Sequence, residues 1–182
     1  ARPDTQLLFT PASSAVGQVV GQAKPEREPG MTCGVLQLRP YSRGHVRIVD
    51  RHPFTAPEIQ PNYLADPRDS DTLLAGLRFV RRLFAANPLA SFIASETWPG
   101  PDVSSDDELV DFARRTGSTV YHPVGTCRMG AEETLPVDTS LKVRGVEALR
   151  VIDASVMPTM ISGNTYATTI MIAERGADLV MR

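Results

Sequence analysis

Twelve of the 15 prolines in this 182-residue chain fall within its first 101 positions, and only Pro123, Pro136 and Pro158 follow. Proline removes a backbone donor, so within sheets it survives mainly at edges and in connections. The first part of the chain is therefore expected to form short strands broken by turns. Gln6–Phe9, Gly34–Arg39 and His45–Val49 have the composition for such strands. Pro40–Gly44 reads as a hairpin connection between the second and the third. Val46 and Ile48 alternate with His45 and Arg47, so one face of that hairpin is expected to be buried. Residues 21–32, which include Lys24, Pro25, Glu26, Arg27, Glu28 and Pro29, read as a mobile loop.

Helical signals follow. Ser70-Asp71 reads as a cap before Leu73, Leu77, Val80 and Phe84, which lie on one stripe, and Asn87-Pro88 ends the segment. Ser105-Asp106-Asp107-Glu108 has the capping-box form, in which serine and glutamate satisfy each other's amides. Leu109, Val110, Phe112 and Ala113 follow it, with Gly117 placed for a left-handed end. Arg150–Ile152 reads as a strand, and Thr165 to about Val180 as a last helix that Ala173, Gly176 and Ala177 allow to pack closely.

Charge and composition exclude several classes. The 19 Lys and Arg are offset by 21 Asp and Glu and form no block, which argues against a nucleic-acid partner. With 42% apolar residues the chain suits one soluble domain or part of a larger one. Cys33 and Cys127 make neither a disulfide framework nor a metal knuckle. No charged-then-apolar leader opens the chain, and Asp153, Pro158, Gly163 and Asn164 interrupt the apolar run at 151–173. The 13 glycines never form a nucleotide-cradling loop; the nearest clusters are Gly17 with Gly21 and Gly30 with Gly34.

Two stretches could carry chemistry. In Thr119–Gly130, His122 lies between a short apolar strand and a Pro-Val-Gly turn, and imidazole suits proton transfer near neutral pH. A loop histidine bonded to a backbone carbonyl is the plain alternative. Cys127 invites a thiolate–imidazolium reading, set against that of a small buried hydrophobe. His45 and His52 read as surface histidines, and the three histidines have no metal-ligand spacing. In the second stretch, Asp153 ends the strand and Gly163-Asn164 turns into the last helix. Its outward amides could hold an anion or a polar ring edge. Equally, Asn164 could be a helix cap and Asp153 a turn former.

Together these stretches resemble the glucose–methanol–choline (GMC) oxidoreductases. The resemblance rests on Tyr121-His122-Pro123-Val124-Gly125-Thr126-Cys127-Arg128-Met129-Gly130, on Val137-Asp138 through Asp153-Ala154-Ser155 and Met157-Pro158, and on Ser162-Gly163-Asn164 with Ile170–Glu174. It runs less sharply back through Ser42-Arg43-Gly44 and Pro61–Leu64 to Arg2-Pro3-Asp4, and is nearest in kind to choline dehydrogenase and bacterial alcohol dehydrogenases. It implies an α+β fold, an antiparallel sheet with the helices at 71–87 and 105–116 on one side. Residues 1–149 would be the substrate-binding domain, and 150–182 a strand and helix of the FAD-binding domain. The glycine-rich N-terminal FAD-binding part is absent, and Ala1-Arg2-Pro3 has no initiator Met, so this is expected to be the C-terminal portion of a longer enzyme.

The implied reaction is FAD-dependent oxidation of a small alcohol. His122 and Asn164 match the catalytic pair, while Asp153 and Ala154 match positions that contact FAD. Thr165, Tyr166 and Ala167 are expected to face the flavin's pyrimidine edge, with Val120 and Tyr121 on the substrate side. Tyr166 replaces a usual second Asn and Thr168 a usual Pro, which changes the flavin-edge bonding and the helix entry. Expected partners are the missing FAD-binding part, the alcohol and an electron acceptor of either dehydrogenase or oxidase type. Self-association through an exposed apolar surface is expected of this chain alone, with negligible activity and weak or no FAD binding. No metal is expected, and the location would be cytoplasmic or peripheral to a membrane. A cyanohydrin lyase on the same scaffold and a non-catalytic binding module are the alternatives.

Overall fold

The structure, a computed structural model, describes residues 2–13 and 25–181. Of the loop expected at 21–32, positions 21–24 lie outside the described residues, as do Gly17 and Gly21, while residues 26–30 are exposed. The chain divides into two units, one of residues up to 42 with 63–120, the other of 43–62 with 121 onward.

In the first unit β1 (Thr5–Thr10) and β2 (Thr32–Gln37) pair antiparallel, from Thr5 opposite Gln37 to Thr10 opposite Thr32. Helix α1 (Pro67–Phe84) packs on this ladder. It starts ahead of Ser70-Asp71, because Asp66 accepts the Arg68 N–H and Pro67 fills the first helical position, where no donor is needed. Leu74 is buried and Leu73, Leu77, Val80 and Phe84 are half-buried. Gly76 faces β2 so closely that a Cβ there would collide with Val35. Helix α2 (Asp106–Thr116) opens on the capping box of Ser105 and Glu108, and Leu109 is 1% exposed. Gly117 ends it at φ −63°, an extended exit rather than a left-handed one, with its N–H on Ala113 O at 2.8 Å.

The expected hairpin across Pro40–Gly44 does not form, and Asp69 supplies the reason. This α1 residue is 1% exposed, and its carboxylate accepts from Gln37 Nε2 (2.6 Å), Tyr41 N (2.7 Å) and Ser42 N (2.8 Å). The chain leaving β2 is thus bound to α1 instead of folding back. Burial pushes the Asp69 carboxyl up, but the bonds from the Ser42 hydroxyl, the two amides and Gln37 outweigh it and hold the group below its usual range.

In the second unit β3 (His45–Arg47) pairs antiparallel with β4 (Glu58–Gln60). The expected buried face holds only on the β2 side, where Leu38, next after β2, is 8% exposed; in β3 and its partner Val46 is 49% and its opposite number Ile59 66% exposed. The core is Val137, Leu141, Val156, Met157 and Ile172. Arg150–Ile152 makes a bridge from Arg150 to Lys142 and a bond from Val151 N to Leu141 O, not a continuous strand. Nor is there a strand at 119–121. Helix α3 (Tyr166–Val180) buries Ile172 and Gly176, and Gly176 lets Ile152 lie where a Cβ would be; Ala173 and Ala177 are exposed. The class is α+β, with the antiparallel pairing split between two small ladders among the described residues. No described helix is long and apolar enough to cross a membrane.

Candidate active site

Tyr121 holds φ at +61°, a left-handed conformation that a bulky residue rarely adopts, and this bend presents His122. Beyond it the chain is tied down by Cys127 N on Ser155 O (3.1 Å) and Met129 N on Val156 O (2.9 Å). These bonds fix the histidine segment to the 154–156 turn, whose Val156 lies in the core with the following Met157. The half-buried His122 ring meets two side chains from the start of α3. Nδ1 is 2.9 Å from Thr165 Oγ1, and Nε2 is 2.9 Å from Asn164 Nδ2. An amide NH₂ only donates, so in this contact Nε2 accepts, with its lone pair directed at the Asn164 amide. A neutral ring that accepts at Nε2 carries its proton on Nδ1, where the threonine oxygen can accept it. Neither partner is a backbone carbonyl.

Asn164 is exposed and is not the cap of α3; Thr165 occupies that position, yet its side chain bonds no helix amide. Thr165 is 7% exposed, and its hydroxyl faces the histidine. Tyr166, 74% exposed, and Ala167 stand open in the first turn. Asp153 is the turn former, its Oδ1 accepting from Ser155 N at 2.8 Å, and Ala154 packs against the core. Tyr121 is exposed; Val120, half-buried, is the last residue of the first unit. Cys127 packs against the core as a small hydrophobe. His45 is half-buried and pairs with Glu58 at 3.2 Å, while His52 is exposed. Among the described residues no three His, Cys, Asp or Glu side chains form a group able to hold a metal.

The Thr165–His122 bond is the feature that sequence reasoning missed. The two residues lie far apart in sequence, and a threonine at a helix start signals a cap. The donor set at the start of α3 fits a flavin. The first-turn N–H groups have no partner within the helix, the Thr165 side chain does not cap them, and they sit at the positive end of the helix dipole. The polar edge of an isoalloxazine ring offers acceptors for such donors.

The family description GMC oxidoreductase matches residues 40–173. An alcohol dehydrogenase (acceptor) of Pseudomonas putida is 46% identical over 153 residues, covering 84% of this chain and 28% of that protein. The oxygen-dependent choline dehydrogenase of Cronobacter sakazakii is 44% identical over 149 residues, covering 82% and 27%. Among solved structures, an FAD-dependent oxidoreductase from Chaetomium thermophilum superposes with a TM-score of 0.78 at 33% identity, covering 83% of this chain and 26% of its own. The chain thus spans under a third of the length of these relatives. With its histidine segment and the start of α3 both inside the matched region, the chain belongs to the GMC oxidoreductase family.

Proposed function

We propose that the longer protein carrying this chain is an FAD-dependent oxidoreductase acting on an alcohol, and that this chain supplies the proton-handling side of its active site. The observation that supports this most is the 2.9 Å contact of His122 Nε2 with the Asn164 amide nitrogen, which brings an imidazole and an amide donor to one place. A carbinol gives up its C–H hydrogen with the electron pair only as its hydroxyl proton leaves, so a base must meet the oxygen. His122 Nε2 takes that proton, and Asn164 Nδ2 donates to the oxygen as negative charge builds. An alcohol entering here has to part the direct contact of the two groups. When bound, FAD supplies the acceptor for the hydride.

The backbone of Thr165, Tyr166 and Ala167, with Asp153 and Ala154, would hold the flavin. Val120 and Tyr121 would line the substrate side. In the longer protein, residues 1–149 would belong to the substrate-binding domain and 150–182 to the FAD-binding domain, completed by an N-terminal FAD-binding part. Its location would be cytoplasmic or peripheral to a membrane. Exposed Ile170 and Met171 on α3 suit burial against that part, and in its absence would favour self-association.

Anaerobic mixing of the full-length protein with a panel of primary alcohols tests the reading. Bleaching of the oxidised flavin is expected, followed by reoxidation with oxygen or an artificial acceptor. An unbleached flavin with every alcohol, alongside cleavage of a cyanohydrin, would replace this reading with the lyase.

A further inference from the structure

We propose that Thr165 is a positioning residue for His122: its hydroxyl supplies the acceptor for the imidazole proton on Nδ1, the tautomer in which Nε2 is unprotonated and ready to act as the base. This inference rests on the functional reading above, in which Nε2 receives the alcohol proton.

The geometry carries it in three steps. Threonine at the start of a helix ordinarily turns its oxygen to the helix amides. Thr165 makes no such bond, although it is buried, and its Oγ1 lies 2.9 Å from His122 Nδ1. The hydroxyl is therefore used by the histidine and not by the helix. Second, the residue is firmly placed: its carbonyl accepts both Thr169 N and Thr169 Oγ1 at 2.9 Å. Third, a neutral imidazole has one proton for two nitrogens. On Nδ1 it finds the threonine oxygen, while Nε2 accepts from Asn164 Nδ2 at 2.9 Å. On Nε2 it would oppose that donor, so the Asn164 amide would have to turn about to accept it and the hydroxyl would have to donate to Nδ1 instead.

Removing Oγ1 upsets this balance. With valine at 165 an Nδ1 proton would be half-buried without an acceptor, which is costly. The proton then moves to Nε2, where an Asn164 amide turned about offers its carbonyl oxygen. The ring stays in place, but the lone pair now points away from the alcohol. The hydroxyl thus supplies the acceptor that the Nδ1–H tautomer needs, a task different from touching the substrate.

The test uses the full-length, flavin-loaded protein with ¹⁵N-labelled histidine, the His122 signals being assigned from their loss in His122→Asn. Wild type is expected to show a protonated Nδ1 and an acceptor Nε2; Thr165→Val is expected to move the proton toward Nε2; Thr165→Ser is expected to match wild type. In turnover with an alcohol, Thr165→Val should lower kcat at least about tenfold while KM stays within about twofold, and Thr165→Ser should restore kcat. A wild-type proton on Nε2, an unchanged tautomer in Thr165→Val, or a serine variant as impaired as the valine one overturns the inference. Should Thr165→Val fail to fold, the wild-type tautomer and the serine variant still decide it. If no alcohol is turned over, the functional reading falls, and the tautomer measurement alone judges Thr165.

Discussion

Asp69 holds the Gln37 side chain and the Tyr41 and Ser42 amides on α1 through hydrogen bonds of 2.6–2.8 Å. Asp69→Asn keeps the shape but turns one acceptor into a donor facing these groups. Urea titration near pH 7 should show a loss of about 1–3 kcal/mol for the unsatisfied buried groups. The folded carboxyl titrates below its unfolded range, so native protein binds fewer protons through that window. Its contribution is therefore present above about pH 4 and lost as pH falls through the folded value. The gap between wild type and variant should close toward acid; an equal gap at pH 3 and pH 6 would contradict the role given to this carboxylate. At this scale His122 and Asn164, matched as a pair only through the resemblance, are brought within 2.9 Å of each other. The role of Thr165 was not legible in the sequence, since it depends on a contact that only folding creates.

Among the elements, local signals were legible and non-local ones were not. The capping box of α2 needs only Ser105 and Glu108, three apart, and both of its bonds are present. Ser105→Ala should cost about 1 kcal/mol. Leu109→Ala, at the inward face of the same helix, should cost about 2–5 kcal/mol by chemical denaturation. A smaller loss at Leu109 than at Ser105 would mean that α2 is held by its end and not by its packing. The hairpin expected after β2 illustrates the opposite case. Pro40–Gly44 has turn chemistry, but its amides are claimed by a carboxylate on α1, far along the chain. Likewise Val151 N donates to Leu141 O, and Arg150 bridges to Lys142, so an apolar run that looks like a strand packs on a core of loops.

For the whole molecule, the α+β class and the family were legible because several motifs occur in one order over most of the chain, and the family match spans residues 40–173. The split of the antiparallel pairing into two ladders was not, because it follows from which segment each strand finds. On the proposed function the start of α3 would offer donors to only one edge of a flavin, so this chain purified alone should carry no stoichiometric yellow cofactor, measured by its visible absorbance. A yellow one-to-one complex would show that the site is complete without the rest of the protein. The pairing of His122 with the alcohol hydroxyl is tested most directly by the rate of anaerobic flavin bleaching in the full-length protein. His122→Ala should keep its bound flavin yet bleach at least about a hundredfold more slowly than wild type. Bleaching at the wild-type rate in that variant would contradict the account.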